Sequence, residues 1–234
     1  MKRTVIDWHT HVLPKMDDGS KDVPESVSLI QMLSQQGIRT VIATPHFCAN
    51  DESVDSFLLR RSASYAALCE VLPEDAPHIL LGAEVRYYPG IAKSEGLKKL
   101  RIEGTNILLL EMPMVTFTEY TVRELLELAN VKGITLVMAH IERYLALQKP
   151  SVLKRLLENG VLMQVNASFF TSLRTRRKAI SMLRDGEICF VGSDCHNLST
   201  RPPVIGTAYE IIQKKFGEHF LAQMKEYGNA MLHR

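Results

Sequence analysis

The chain has 234 residues, 46% of them hydrophobic, and its 28 Lys+Arg against 26 Asp+Glu leave a formal charge of +2. That is enough apolar material for one large domain over residues 1–234, since single α/β barrels run to ~200–250 residues. The near-balanced charge gives no argument for nucleic acid or a membrane surface, and no run approaches the ~18 apolar residues of a membrane-spanning helix. Met1-Lys2-Arg3 leads into a short strand rather than an apolar signal segment. Four cysteines, at 48, 69, 189 and 195, show no C-x-x-C spacing, so reduced thiols in a cytoplasm are the expectation. No linker, repeat or low-complexity run divides the chain, and self-association is left open.

In chain order, Thr4-Val5-Ile6 reads as a short buried strand delivering Asp7-Trp8-His9-Thr10-His11, then the loop Met16-Asp17-Asp18-Gly19. Residues two apart on a strand share a face, so His9 and His11 point the same way and can converge on one metal ion. Asp7 falls on that face too and reads as a carboxylate orienting an imidazole. A helix starts at Val23-Pro24-Glu25 and runs to about Gln36, where Gly37 stops it. The strand Thr40-Val41-Ile42-Ala43 ends at Thr44-Pro45-His46, and a helix from Val54 to about Leu72 follows. His78-Ile79-Leu80-Leu81-Gly82-Ala83-Glu84-Val85 is a strand with a carboxylate near its end, and Asn106-Ile107-Leu108-Leu109-Leu110-Glu111 repeats that design. Helices over roughly 119–132, 151–159 and 173–185 lead to strands ending at His140, Asn166 and Asp194, the last followed by Cys195-His196. A helical region closes the chain.

This is strand–helix alternation with about seven strands, each a near-continuous apolar run. Such runs indicate strands buried on both faces, hence an α/β fold with a parallel sheet and helices outside. Closure into a TIM-like barrel fits the length, and an open doubly wound sheet stays as the alternative, because periodicity does not distinguish them.

The polar residues fall at consistent places. His46, Glu84, Glu111, His140 and Asp194/His196 each stand at the C-terminal end of a strand, and in a parallel barrel those ends gather at one rim. Any one alone is an ordinary hydrogen-bonded residue; agreement across six strands, counting the first with His9 and His11, is the signal. Five imidazoles and several carboxylates exceed what one ion can use, which implies two or three metals of the Mn²⁺, Fe²⁺ or Zn²⁺ type. Such clusters activate water and clamp phosphoryl oxygens. Arg143, three residues past His140, and Arg201, five past His196, lie on the same rim, where guanidinium forks match phosphate. Either alone could equally be a surface ion pair.

The ordered set His9-Thr10-His11, Asp17-Asp18-Gly19-Ser20-Lys21-Asp22, Ala43-Thr44-Pro45-His46, Gly82-Ala83-Glu84, Leu110-Glu111-Met112-Pro113, Ala139-His140-Ile141-Glu142-Arg143-Tyr144 and Gly192-Ser193-Asp194-Cys195-His196 resembles the polymerase and histidinol phosphatase (PHP) superfamily. Within it, the chain is most similar to the manganese-dependent bacterial protein-tyrosine phosphatases of capsule and exopolysaccharide operons. The resemblance implies a distorted TIM-like (β/α)7 barrel holding three metals, Mn²⁺ foremost. It implies His9, His11, Glu84 and Asp194 around one metal, Asp18, His46 and His196 at a second, and Glu111 and His140 at a third, with Glu84 bridging. Arg143 and Arg201 would grip the phosphate, and a hydroxide held by the metals would be the nucleophile. The implied partner is a phosphotyrosine-bearing protein, a bacterial tyrosine autokinase of polysaccharide export. The choice of Asp18 over Asp17 rests on the family pattern, and Trp8 stands where an aliphatic residue is usual.

Three rivals remain at this stage. Cys195 and Arg201 formally satisfy C-x₅-R, the cysteine-dependent phosphatase signature. Its loop, however, has no glycine among the intervening residues, and Pro202-Pro203 removes two phosphate-cradling amides. That reading also leaves the other histidines unexplained. The same fold could instead act on histidinol phosphate, another small phosphoester or a phosphodiester. The third rival is a non-enzymatic metal-binding regulator, which leaves the paired arginines without a purpose.

Overall fold

The computed structural model describes residues 5–233, so Thr4 and the lead-in Met1-Lys2-Arg3 lie outside the described residues. Among these, nine strand segments alternate with helices: β1 (Val5–Thr10), β2 (Ile38–Ala43), β3 (His46–Phe47), β4 (His78–Leu81), β5 (Glu84–Arg86), β6 (Ile107–Glu111), β7 (Thr135–Met138), β8 (Leu162–Asn166) and β9 (Phe190–Gly192). They form seven staves, because β3 continues β2 and β5 continues β4. Pro45 supplies no amide for the ladder at the first break. The neighbours still bond across both breaks, Gly82 N to Ala43 O at 2.8 Å and Glu84 N to Pro45 O at 3.0 Å.

Every pairing is parallel, in the order β1-β2-β4 and β3-β5-β6-β7-β8-β9. The ring closes where β9 runs out beside β1: Asp194 N donates to His9 O at 2.8 Å and His11 N to Cys195 O at 3.0 Å. Of the two arrangements the pattern allowed, the molecule adopts the curled barrel.

The outer helices are α1 (Val23–Gln35), α2 (Val54–Cys69), α3 (Glu119–Ala129), α4 (Pro150–Glu158), α5 (Ala167–Thr171), α6 (Arg176–Arg184) and α7 (Ile205–Leu232). Asp22, Ser53 and Thr118 cap α1, α2 and α3 by accepting from the amide three residues on, as short oxygen side chains do at N-termini. The connection from β5 to β6 has only two 3₁₀ turns, Ile91–Lys93 and Leu97–Leu100, which is one source of the barrel's distortion. Gly217, at φ 87°, breaks α7 into two arms. No helix among the described residues is long and apolar enough to cross a membrane.

Ile6, Trp8, Ile42, Ile107, Leu109, Val137, Phe190 and Met231 form one buried apolar cluster. Trp8 lies on Phe190, ring centroids 4.1 Å apart, and a Cβ at Gly228 of α7 would come within 3.3 Å of its indole. The bulk that departs from the usual aliphatic residue is thus accommodated by a glycine on the last helix arm. The other, larger cluster fills the space between the sheet and the helices.

Candidate metal centre

Six of the seven staves bring all nine carboxylate and imidazole residues singled out above to one rim. His9 Nε2 and His11 Nε2 lie 3.1 Å apart, and Glu84 Oε2 is 3.1 and 3.2 Å from them. Asp194 Oδ1 faces the same pair at 3.6 and 3.4 Å. Asp18 Oδ1 lies 3.4 Å from His46 Nε2 and 3.5 Å from His196 Nε2, and His11 joins these three in a second ligand-competent group. His46 Nδ1, Glu84 and Glu111 make a third group, with His140 Nε2 at 2.7 Å from Glu84 Oε1 and 3.5 Å from Glu111 Oε1. Glu84 therefore touches four imidazoles.

The residues fit a cluster of cations. His11 Nδ1 is 2.7 Å from Asp17 Oδ2, His9 Nδ1 is 3.3 Å from Gln164 Oε1, and His196 Nδ1 is 3.0 Å from Asp194 O. Each of those partners is an acceptor, so each Nδ1 carries the proton and each Nε2 presents a lone pair. The Nε2 lone pairs of His9 and His11 then face each other and two carboxylates in a buried site, a repulsive arrangement that positive charge relieves. His196 Nε2 and His46 Nδ1 have no hydrogen-bond partner although buried. His11 registers the demand for positive charge: burial pulls its imidazole down, yet Asp17, Asp194 and Glu84 raise it well above the ordinary value. Nitrogen and carboxylate donors without thiolate suit Mn²⁺, Fe²⁺ or Zn²⁺.

Local backbone devices aim these groups. In β1 the register advances by three residues, Asp7 to Thr10, against two of β2, Val41 to Ala43. A bulge of this kind re-aims the side chains that follow it. His140 and Asp194 adopt φ of 34° and 52°, a left-handed conformation that non-glycine residues seldom hold outside functional sites. Gly19 is required by close approach, since a Cβ there would lie 2.4 Å from His11 O and 2.5 Å from His11 Cβ.

The structure corrects one expectation. Asp7 does not reach an imidazole; its Oδ1 accepts from His9 N at 3.3 Å and Ser193 N at 2.7 Å, so it ties β1 to β9 through their backbones. The imidazole-orienting partners are instead Asp17 and Gln164. Gln164 also accepts from His140 N at 2.7 Å and donates to Asn166 at 3.1 Å. Gln164 and Asn166 went unmarked in the sequence, although they end β8 by the same strand-end rule that marked the histidines.

Arg143 and Arg201 meet at the mouth. Their Nη2 atoms lie 2.5 and 2.8 Å from Asp194 Oδ2, and Asn166 Nδ2 adds a third donor at 2.7 Å. Asp194 is thus divided: one oxygen is saturated by the mouth, the other faces the histidines. Arg201 sits on a loop closed by His196 N bonding to Arg201 O at 3.0 Å and by Asn197 Oδ1 accepting from Ser199, Thr200 and Arg201 amides. Both guanidinium groups remain about one-third exposed, at 35% and 37%.

A family model described as capsular polysaccharide synthesis, CpsB/CapC, matches residues 5–232. The chain is 31% identical to the tyrosine-protein phosphatase YwqE of Bacillus subtilis strain 168, covering 97% of this chain and 91% of that protein. It is 31% identical to the tyrosine-protein phosphatase CpsB of Streptococcus agalactiae, covering 94% of each. Its fold superimposes with TM-score 0.84 and 27% identity, over 97% of this chain and 94% of the other, on a crystal structure from a study of B. subtilis YwqE and Streptococcus pneumoniae CpsB as metal-dependent tyrosine phosphatases.

Proposed function

The chain belongs to the capsular polysaccharide synthesis family CpsB/CapC, and from that premise we propose that it is a metal-dependent tyrosine phosphatase, acting as one domain over residues 1–234. One observation carries this reading: Arg143 and Arg201 converge on Asp194 beside histidines whose Nε2 atoms crowd against Glu84. Bound divalent cations, of the Mn²⁺, Fe²⁺ or Zn²⁺ type by the donor set and Mn²⁺ by the family resemblance, would supply the charge that acidifies water and polarises phosphoryl oxygens. His9, His11, Glu84 and Asp194 would surround one cation, Asp18, His46 and His196 a second, and Glu111 with His140 a third, with Glu84 shared.

The arginines exchange Asp194 for the phosphate oxygens, orienting the ester and neutralising charge as the bond to the phenolic oxygen breaks. Asn166 holds Asp194 in place through that exchange. Tyrosine leaves readily as phenolate, its ordinary pKa being ~10, so the chemistry does not depend on a strong acid in the site. The substrate is a phosphotyrosine segment of a protein, with a cytoplasmic tyrosine autokinase of polysaccharide export as the proposed partner.

Hydrolysis of a phosphotyrosine peptide by chelator-stripped protein, before and after Mn²⁺ is restored, tests this. Activity is expected to vanish on stripping and return with Mn²⁺; activity indifferent to chelator would overturn the metal reading. Cys195 is 1% exposed, and burial pushes its thiol up to about 12, the opposite of what a thiolate nucleophile needs. Cys195→Ser is therefore expected to retain most turnover of the same peptide. Complete loss with metal content intact would count for the cysteine mechanism.

A further inference from the structure

The loop after β8 carries surface chemistry that the phosphate site does not use. Leu173 is 82% exposed. Arg174, Arg177 and Lys178 beside it are exposed and pair with no described acid. The loop is nonetheless built firmly. Arg176 turns the other way, donating to Phe170 O at 3.0 Å and Thr171 O at 2.9 Å, while Thr175 Oγ1 donates to Phe169 O at 2.8 Å.

Its position gives it a role. The loop follows α5, which begins directly after Asn166, the residue that holds Asp194, and it runs into the first turn of α6, which carries Arg177 and Lys178. β8 pairs directly with β9, whose own loop carries Arg201 and, three residues before it, the 44% exposed Leu198. Both segments thus leave the same barrel rim as the phosphate-binding arginines, from neighbouring parallel strands, and present between them two exposed leucines and three unpaired cations, a strip beside the phosphate site. Chain lying on it would be continuous with the residue whose phosphate sits between Arg143 and Arg201. Unpaired cations select acids, and exposed leucines on a pre-ordered loop select an apolar side chain at little ordering cost.

We infer that this strip, Leu198, Leu173, Arg174, Arg177 and Lys178, is a docking surface for an acidic stretch carrying an apolar residue that flanks the phosphotyrosine of the protein substrate. The inference rests on the phosphotyrosine reading and adds the sequence character of the substrate to it.

The test compares the Mn²⁺-loaded full chain on two phosphotyrosine peptides, one with Asp and Glu beside a leucine on the flank and one with those acids replaced by lysine. p-Nitrophenyl phosphate serves as a flankless reference. Wild type is expected to favour the acidic peptide by about tenfold in kcat/KM, mostly through KM, with the preference shrinking as salt is raised. Arg174→Glu combined with Arg177→Glu should abolish or reverse that preference, and Leu173→Ser should lower the kcat/KM of the acidic peptide relative to the reference. Equal kcat/KM for the two peptides in wild type, or an undiminished acid preference in the double variant, overturns the docking surface. Turnover of p-nitrophenyl phosphate with neither peptide cleaved overturns the phosphotyrosine reading itself, and the docking surface with it.

Discussion

Glu84→Ala is expected to empty the centre of metal and to abolish phosphotyrosine hydrolysis. Glu84 is 1% exposed and lies within 3.2 Å of His9, His11, His46 and His140. Burial raises a carboxyl, yet the surrounding imidazoles, His9 foremost with His11 and His140, hold Glu84 well below its ordinary range. It is therefore the anion on which the proposed sites depend jointly, and a single truncation disturbs more than one of them. Loss of an outer hydrogen-bonding partner such as Gln164 typically costs 10–100-fold in metal affinity or activity; loss of the shared carboxylate should exceed that, on the order of 10³-fold or more in turnover. Elemental analysis of the purified variant checks the metal, and peptide hydrolysis checks the rate. Glu84→Gln, which keeps the volume, separates loss of charge from collapse of the site. A variant with its full metal complement and near-native turnover would remove Glu84 from the centre.

Gly192→Ala should damage both stability and turnover through one added methyl. The new Cβ would sit 2.6 Å from His9 Cβ, 2.9 Å from His9 N and 2.9 Å from Gln164 Nε2. Two of these atoms belong to the strand across the barrel's closing seam, so relief requires β1 and β9 to separate. Overpacking of this kind costs about 1–3 kcal/mol, equivalent to a fall of roughly 2–12 °C in Tm for a chain of this size. His9 would move with its strand, and a displacement near 1 Å at a catalytic centre can cost about 10²-fold in rate. Thermal melting and kcat on the same peptide test it together. An unchanged Tm with unchanged kcat would mean that the seam is softer than its contacts indicate. Gly228→Ala is the natural comparison, because its nearest neighbours lie at 3.3 Å or beyond and only a mild effect is expected.

Much of this molecule is local chemistry written along the chain. Apolar runs of four to six residues specify strands buried on both faces, and short oxygen side chains at 22, 53 and 118 specify where helices begin. Polar residues at the ends of those runs mark one rim without any knowledge of the rim's shape, since parallel strands share a direction. His9, His11, His46, Glu84, Glu111, His140, Asp194 and His196 were legible for that reason. Gln164 was equally placed but carries no charge and no customary metal affinity, so strand-end position alone did not single it out.

The remaining features are decided by contacts between residues far apart in the chain. Closure of the ring depends on Asp194 meeting the backbone of His9, which no periodicity encodes. The bulge in β1 and the pull of the Ser193 amide turn Asp7 from the imidazoles to the backbone. Asp17 and Asp18 are neighbours of the same chemistry, and only three-dimensional position gives one to His11 Nδ1 and turns the other toward His46 and His196. The division of Asp194 between the arginines and the histidines is likewise a property of assembled loops. The sequence by itself determined which groups are present, on which element and at which end, because those are short-range consequences of residue type and strand periodicity. The tertiary structure alone decided which atom faces which, because hydrogen bonds and charges act over a few ångströms between residues as far as 203 positions apart, as Ile6 and Tyr209 are.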